Sequence, residues 1–123
     1  MKAFKDDIPI YLQLRQQIEE QILVRALKED DRLKSLREMA AEYRINPITA
    51  GNAVNALVDE GILYHKRGIG IFVSPGARES IIASRKSNFV QETLVPTIRL
   101  AKGYEISREE IISKIKKVYG EVQ

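Results

Sequence analysis

The chain has no cysteine and no tryptophan, a single histidine, and no apolar run that approaches membrane-spanning length. Without cysteine there is no disulfide framework, no thiol nucleophile and no thiolate metal site, which agrees with a reducing cytosol. The one histidine, His65, falls in a predicted strand and suits a phosphate or solvent contact better than general-base work. Two carboxylate pairs, Asp59-Glu60 and Glu109-Glu110, are adjacent in sequence, so on a helix each pair diverges instead of converging on a reaction centre. Ser35 and Ser107 read as helix caps, not nucleophiles. No catalytic residue, no metal site and no cofactor is expected, and the chain is read as a non-enzyme. The opening Met1-Lys2-Ala3-Phe4-Lys5-Asp6-Asp7 has no apolar signal core, so the expectation is a soluble cytoplasmic protein with no membrane partner.

A strong charge bias is also missing. Lys and Arg number 20 against 17 acidic residues in 123, a formal net charge of +3. Up to Gly76 there are 11 basic and 11 acidic residues, and 9 and 6 beyond it. Net charge therefore nominates no partner, and position has to. Glu29-Asp30-Asp31 forms an acidic block in an expected turn, whereas Lys34, Arg37, Arg44, His65, Lys66 and Arg67 sit in or beside segments suited to a phosphate backbone. The two sets are expected to separate in space. A chain of this length holds one modest core and a small appendage.

What is present is a series of short helices with clear punctuation. The first is expected from about Pro9, with Ile10, Leu14, Ile18 and Ile22 on one apolar face and Gln13, Gln16, Gln17 and Glu20 on the rest. Ser35-Leu36-Arg37-Glu38 has capping-box spacing and opens a brief helix to about Tyr43, with Met39, Ala40 and Tyr43 facing inward. After Arg44-Ile45, Asn46 is a good N-cap and Pro47 suits the first helical position. In this third helix Ala50, Ala53, Val54 and Leu57 form the apolar side, leaving Ile48, Thr49, Gly51, Asn52 and Asn55 on or near the other. Asparagine matches adenine and isoleucine meets a thymine methyl, though singly Asn52 and Asn55 also fit ordinary solvated surface.

Gly61 is placed to end that helix in the left-handed conformation. Ile62-Leu63-Tyr64-His65 and Ile71-Phe72-Val73 then read as two strands, with Gly68 and Gly70 at the hairpin tip and Lys66 and Arg67 flanking it. The two glycines lack the third glycine and following helix of a dinucleotide loop. A polar-tipped helix followed by a basic hairpin suits major-groove entry with a wing along the backbone.

Residues 77 to 102 are expected to be broadly helical, with Pro96 bending or interrupting the run. After Gly103, Ser107 and Glu110 repeat the capping-box spacing before a last helix. The apolar positions Ile82, Phe89, Val90, Leu94, Ile98, Ile111, Ile115, Val118 and Tyr119 exceed what two short helices bury between themselves, so pairing with a second copy is expected. Such a pair would set two reading helices roughly 34 Å apart.

Five blocks carry a resemblance. Ile10-Tyr11-Leu12-Gln13-Leu14, Asp31-Arg32-Leu33-Lys34-Ser35-Leu36-Arg37-Glu38-Met39-Ala40, Asn46-Pro47-Ile48-Thr49-Ala50, Leu57-Val58-Asp59-Glu60-Gly61-Ile62 and Gly68-Ile69-Gly70-Ile71-Phe72-Val73 resemble the winged helix-turn-helix of the GntR family of bacterial transcription regulators. The likeness spans roughly residues 8 to 75, and the short helical tail resembles the YtrA-type branch. It implies a mostly α fold with a small β-hairpin: a winged helix-turn-helix over 1–76 and a two-helix dimerisation tail over 77–123. The implied protein is a homodimeric repressor of an inverted-repeat operator, with regulators of this branch often acting on transporter operons. The double-stranded DNA contacts expected are Lys34, Ser35, Arg37, Asn46, Ile48, Thr49, Asn52, Lys66, Arg67, Gly68 and Gly70. Among these the resemblance assigns Arg37 to the backbone or bases, Asn46 to Asn52 to the major groove and the glycine tip to the minor groove.

The chain departs from that pattern where the family commonly has glycine (Arg25, Asp30, Arg44) or proline (Glu29, Lys34), and where Gly51-Asn52 replaces a long polar residue. Lys34 offers a point charge in compensation, without an arginine's bidentate geometry. The competing reading is a winged-helix protein-interaction module with weak or no independent DNA binding. The identity of any small-molecule effector does not follow from these residues.

Overall fold

A computed structural model describes residues 7–121. The signal-core reading of the first residues therefore lies mostly outside the described part. By contact the chain forms two compact units, one up to Ala83 and one from Ser84.

The first unit contains α1 (Ile10–Leu23), α2 (Leu36–Tyr43), α3 (Pro47–Asp59), the strands β1 (Leu63–Lys66) and β2 (Gly70–Val73), and the start of α4 (Ala77–Phe89). Its core combines Leu14, Ile18 and Ile22 of α1, Met39 and Ala40 of α2, and Ala50, Ala53, Val54 and Leu57 of α3. Leu63, Ile71 and Val73 of the hairpin and Ala77 and Ile81 of α4 close it. The division between units falls within α4, a little beyond the 76/77 boundary read from sequence.

Helix α1 is offset from its expected face. Ile10 and Tyr11 are exposed, and Gln13, placed above among the outward residues, is buried with its side-chain amide donating to the Ile8 carbonyl at 2.8 Å. The hydrogen bond is what makes that burial tolerable. Helix α2 has both halves of a capping box: Ser35 Oγ accepts from the Glu38 N–H at 3.1 Å, and Glu38 accepts from the Ser35 N–H at 2.9 Å. In α3, Asn46 Oδ1 accepts from the Ile48 N–H at 2.8 Å ahead of Pro47 in the first turn.

The hairpin is antiparallel, pairing Leu63 with Val73 and Lys66 with Gly70. Sequence reading missed its other edge. Leu33 N–H donates to the Ile71 carbonyl, Asp30 N–H to that of Val73, and Val73 N–H to that of Asp31, with Arg32 bridged to Phe72. The acidic block is thus half turn and half short edge, and its carboxylates are spent locally. Glu29 accepts from the Gly76 N–H, Asp30 from the Tyr64 hydroxyl, and Asp31 from the Lys28 N–H.

Several helices end in one motif, in which the two residues after the cap donate back to carbonyls of the last turn. After α3 these are Gly61 N–H to Val58 and Ile62 N–H to Leu57, with Gly61 at φ +77°. The same bonds close α1 through Arg25 and Ala26, and α2 through Arg44 and Ile45. There the left-handed residue is arginine, at φ 65° and 55°. A side chain in that conformation costs about 1–2 kcal/mol, which glycine avoids. Arg25→Gly and Arg44→Gly are each expected to raise stability by about 1 kcal/mol, after glycine's greater unfolded-state entropy is deducted. Urea midpoints check this, and an unchanged or lowered midpoint for both would show that the arginine side chains compensate.

In the second unit Pro96 does not break the helix. The run from α4 passes through a π-helical segment, Val90–Leu94, and continues as α5 (Val95–Gly103). Val95 N–H donates to Val90 five residues back, so the extra residue per turn absorbs the donor that Pro96 lacks and the carbonyl it would crowd. Helix α6 (Arg108–Val118) is capped by Ser107 Oγ accepting from the Glu110 N–H at 3.1 Å; only this half of the expected box forms. Among the described residues of this unit none is buried.

Candidate nucleic-acid interface

The wing is stiffened from within its own sheet. Tyr64 and Phe72, opposite each other in register, stack at 5.6 Å between ring centroids, and the Lys66 ammonium lies 4.9 Å over the Phe72 ring. The Tyr64 hydroxyl donates to Asp30 at 2.7 Å, and this bond to a carboxylate holds the phenol above its ordinary range. A cation resting on a ring face keeps its charge outward while its stem is covered.

Between the wing and the N-terminus of α2 runs an open groove. One wall is Arg32, Leu33, Ser35, Leu36 and Arg37; the other is the hairpin from His65 to Ile71. Arg32, Arg37, Lys66 and Arg67 contribute four cations and His65 an imidazole, with no carboxylate among the lining residues. In a groove of one sign, field lines concentrate and an anionic backbone is favoured. Gly68 stands at φ +75° in the tip. A Cβ on Gly70 would come within 2.8 Å of Arg32 Nε, so the arginine lies across the wing where glycine leaves room.

Six of the residues expected at DNA therefore line one groove: Ser35, Arg37, Lys66, Arg67, Gly68 and Gly70. Ser35 Oγ accepts its capping bond from the Glu38 N–H, and its hydroxyl also bonds toward the Glu38 carboxylate. Donation to the Glu38 carboxylate from the Ser35 backbone N–H first, and from its hydroxyl second, holds that carboxyl below its usual range.

Lys34 is elsewhere. Its ammonium meets Glu42 at 2.7 Å, and that hydrogen bond and charge raise its pKa. It lies outside the residues lining the groove.

Asn46, Ile48, Thr49 and Asn52 form a separate patch on the start of α3. Ile48 is 73% exposed, Asn46 and Asn52 are exposed, and Thr49 is half-buried. The patch adjoins the groove through Leu36, whose Cδ1 would stand 3.7 Å from a Cβ on Gly51. That contact changes the meaning of Gly51. The Cβ it lacks would stand in van der Waals contact with Leu36 of α2. Arg32 is the groove cation that sequence reading did not assign. Its signal was a basic residue two positions before Lys34, but the strand that orients it has too short a pattern to recognise.

Residues 10–73 match the family described as "Bacterial regulatory proteins, gntR family". The HTH-type transcriptional repressor YtrA of Bacillus subtilis is 31% identical over 119 residues, covering 97% of this chain and 91% of its own length. A transcriptional regulator from Oenococcus oeni superposes with a TM-score of 0.82 at 25% identity, covering 96% of this chain and 97% of that one. YtrA from Sulfolobus acidocaldarius, titled a GntR-family transcription factor, superposes with a TM-score of 0.57 at 32% identity, covering 99% and 98%.

Proposed function

The chain belongs to the GntR family of bacterial regulatory proteins, whose relatives here are transcriptional regulators and not enzymes, and from that we propose that it is a homodimeric repressor that binds an inverted-repeat operator. The observation that carries this reading is the groove with Arg32, Arg37, Lys66 and Arg67 on facing walls and no carboxylate among its lining residues. Arg37 and the wing grip the phosphate backbone, Gly68 and Gly70 bring the hairpin close to the minor groove, and Ile48, Thr49 and Asn52 meet base edges in the major groove. Lys34 contributes only long-range attraction, since Glu42 holds it. The YtrA-type resemblance makes a transporter operon the regulated target in this reading. A cytoplasmic location follows from the function, and no helix among the described residues is long and apolar enough to cross a membrane.

Genomic DNA selection with the purified protein tests the reading. It is expected to return a palindromic site whose affinity falls with salt at a log–log slope of roughly −7, as eight groove cations in a dimer displace counterions. Binding that is insensitive to both salt and sequence would leave the protein-interaction module as the function.

Dimerisation is supported by the second unit's exposed apolar surface. Phe89 is 55% exposed, Val118 83% and Tyr119 78%, with Leu94, Ile98 and Ile115 also open. Ile82 of α4 is exposed too, while Val90 and Ile111 are half-buried. Apolar area on this scale marks an interaction surface in a soluble protein. Phe89→Asp is expected to yield a monomer in sedimentation and to weaken operator binding at least tenfold, because each half-site is then bound separately. A dimer of unchanged mass would remove Phe89 from the interface.

A further inference from the structure

Sharing Arg32 and Leu33 with the DNA groove is a pocket of about 290 Å³ between α1 and α2. Its floor is apolar, from Leu14, Ile18, Leu33 and Met39, all buried. Its rim is polar, with Gln21 on α1, Arg32 on the edge strand and Tyr43 on α2. Partial burial, and next the Glu42 carboxylate, raise the Tyr43 phenol above its ordinary range. The Lys34–Glu42 pair spans part of the mouth, and both side chains are more than two-fifths exposed, so it is a screened and readily opened latch. Glu42 does not bar an anion, because Lys34 already neutralises it; Arg32 makes no ion pair among the described residues. Arg32 and Leu33 line this pocket and the DNA groove alike.

We propose that this pocket binds a small molecule with a carboxylate head and a short apolar body, and that the head draws Arg32 out of the DNA groove. A chamber with an apolar floor and a few convergent polar groups is a common form of small-ligand site, and this volume is just below the usual roughly 300–1,000 Å³. The body covers Leu27 and what little of Ile18, Leu33 and Met39 solvent reaches, and the carboxylate meets the Arg32 guanidinium at the rim. The ligand and the DNA then compete for one side chain, which makes them negatively coupled. The coupling rests on the DNA-binding reading above, while the site itself does not.

The test titrates hexanoate into the full chain, with hexanol and hexylamine as probes of the same body bearing no charge or the opposite one. Amide NMR spectra are recorded first without DNA. Hexanoate is expected to shift Leu33, Met39 and Tyr43 saturably and to bind at least tenfold more tightly than either other probe. Gln21→Trp fills the mouth from α1, outside the groove, and is expected to abolish those shifts while leaving ligand-free DNA affinity unchanged. Saturating hexanoate should weaken duplex binding by about fivefold or more, and the duplex should weaken hexanoate binding by the same factor, since coupling is reciprocal. Shifts that do not saturate, equal binding of hexanol, preference for hexylamine, or shifts that survive Gln21→Trp would overturn the site. Saturable binding without any change in duplex affinity would overturn the part given to Arg32. Because the spectra need no DNA, failure of the site is distinguished from failure of the DNA-binding reading, which shows as absent duplex binding by the ligand-free protein.

Discussion

Arg37→Ala is expected to weaken operator binding roughly tenfold to hundredfold, the ~1–3 kcal/mol of one lost guanidinium contact. The magnitude follows from where the residue stands. Arg37 lies in the first turn of α2, which a complete capping box fixes, and it shares a groove with Lys66 and Arg67 of a wing stiffened by the Tyr64–Phe72 stack. Because the backbone that carries Arg37 is already fixed, binding to a phosphate or a guanine edge orders only its side chain, and no segment has to fold as well. The measurement is a fluorescence-anisotropy titration on the selected duplex and on a scrambled one at fixed salt. Arg108→Ala at the start of α6 is the control, since it removes the same charge from the other unit. Equal losses in the two variants would reduce the role of Arg37 to net charge and detach it from the interface.

Leu57→Ala carries the second large effect, a loss of about 2–5 kcal/mol in folding stability. Leu57 is wholly buried in α3 among residues contributed by α1 and the hairpin, and its carbonyl accepts the Ile62 N–H that closes the helix. Truncation leaves a cavity that the surrounding helices fill only partly. Against the 5–15 kcal/mol typical of a domain, this is a large fraction of the total. Urea unfolding followed by circular dichroism checks the value, and the same experiment on Asn55→Ala, an exposed residue of the same helix, should show little change. A Leu57→Ala midpoint within experimental error of the unaltered protein would mean that α3 is anchored by some other contact.

The sequence-level pattern was informative wherever a signal spans three or four residues. Ser35 with Glu38, Asn46 with Pro47, and Gly61 after Asp59 each announce a helix boundary through a bond made within one turn, and each boundary is found there. The buried side of α3 was legible for the same reason, because Ala50, Ala53, Val54 and Leu57 recur at the helical period. The departures at Arg25, Asp30 and Arg44 were legible as well: a family that commonly has glycine there points to left-handed backbone, and all three residues have positive φ. The candidate site was legible in part. Arg37 and the wing cations do share a groove, but nothing local showed that Lys34 turns to Glu42 or that the side chain missing from Gly51 would face Leu36.

Composition, capping chemistry and apolar spacing by themselves determined a mostly helical chain with a glycine-tipped hairpin, little equipment for catalysis and a surplus of apolar residues in its tail. Only the tertiary structure decided that Asp30 to Leu33 forms the hairpin's outer edge, that Arg32 lies across Gly70, and that Gln13 is buried. Those outcomes depend on partners that a short window cannot contain. Leu33 pairs with Ile71 across the whole of α2 and α3, and three ladder bonds about one isolated bridge leave no period in the sequence from which to read it.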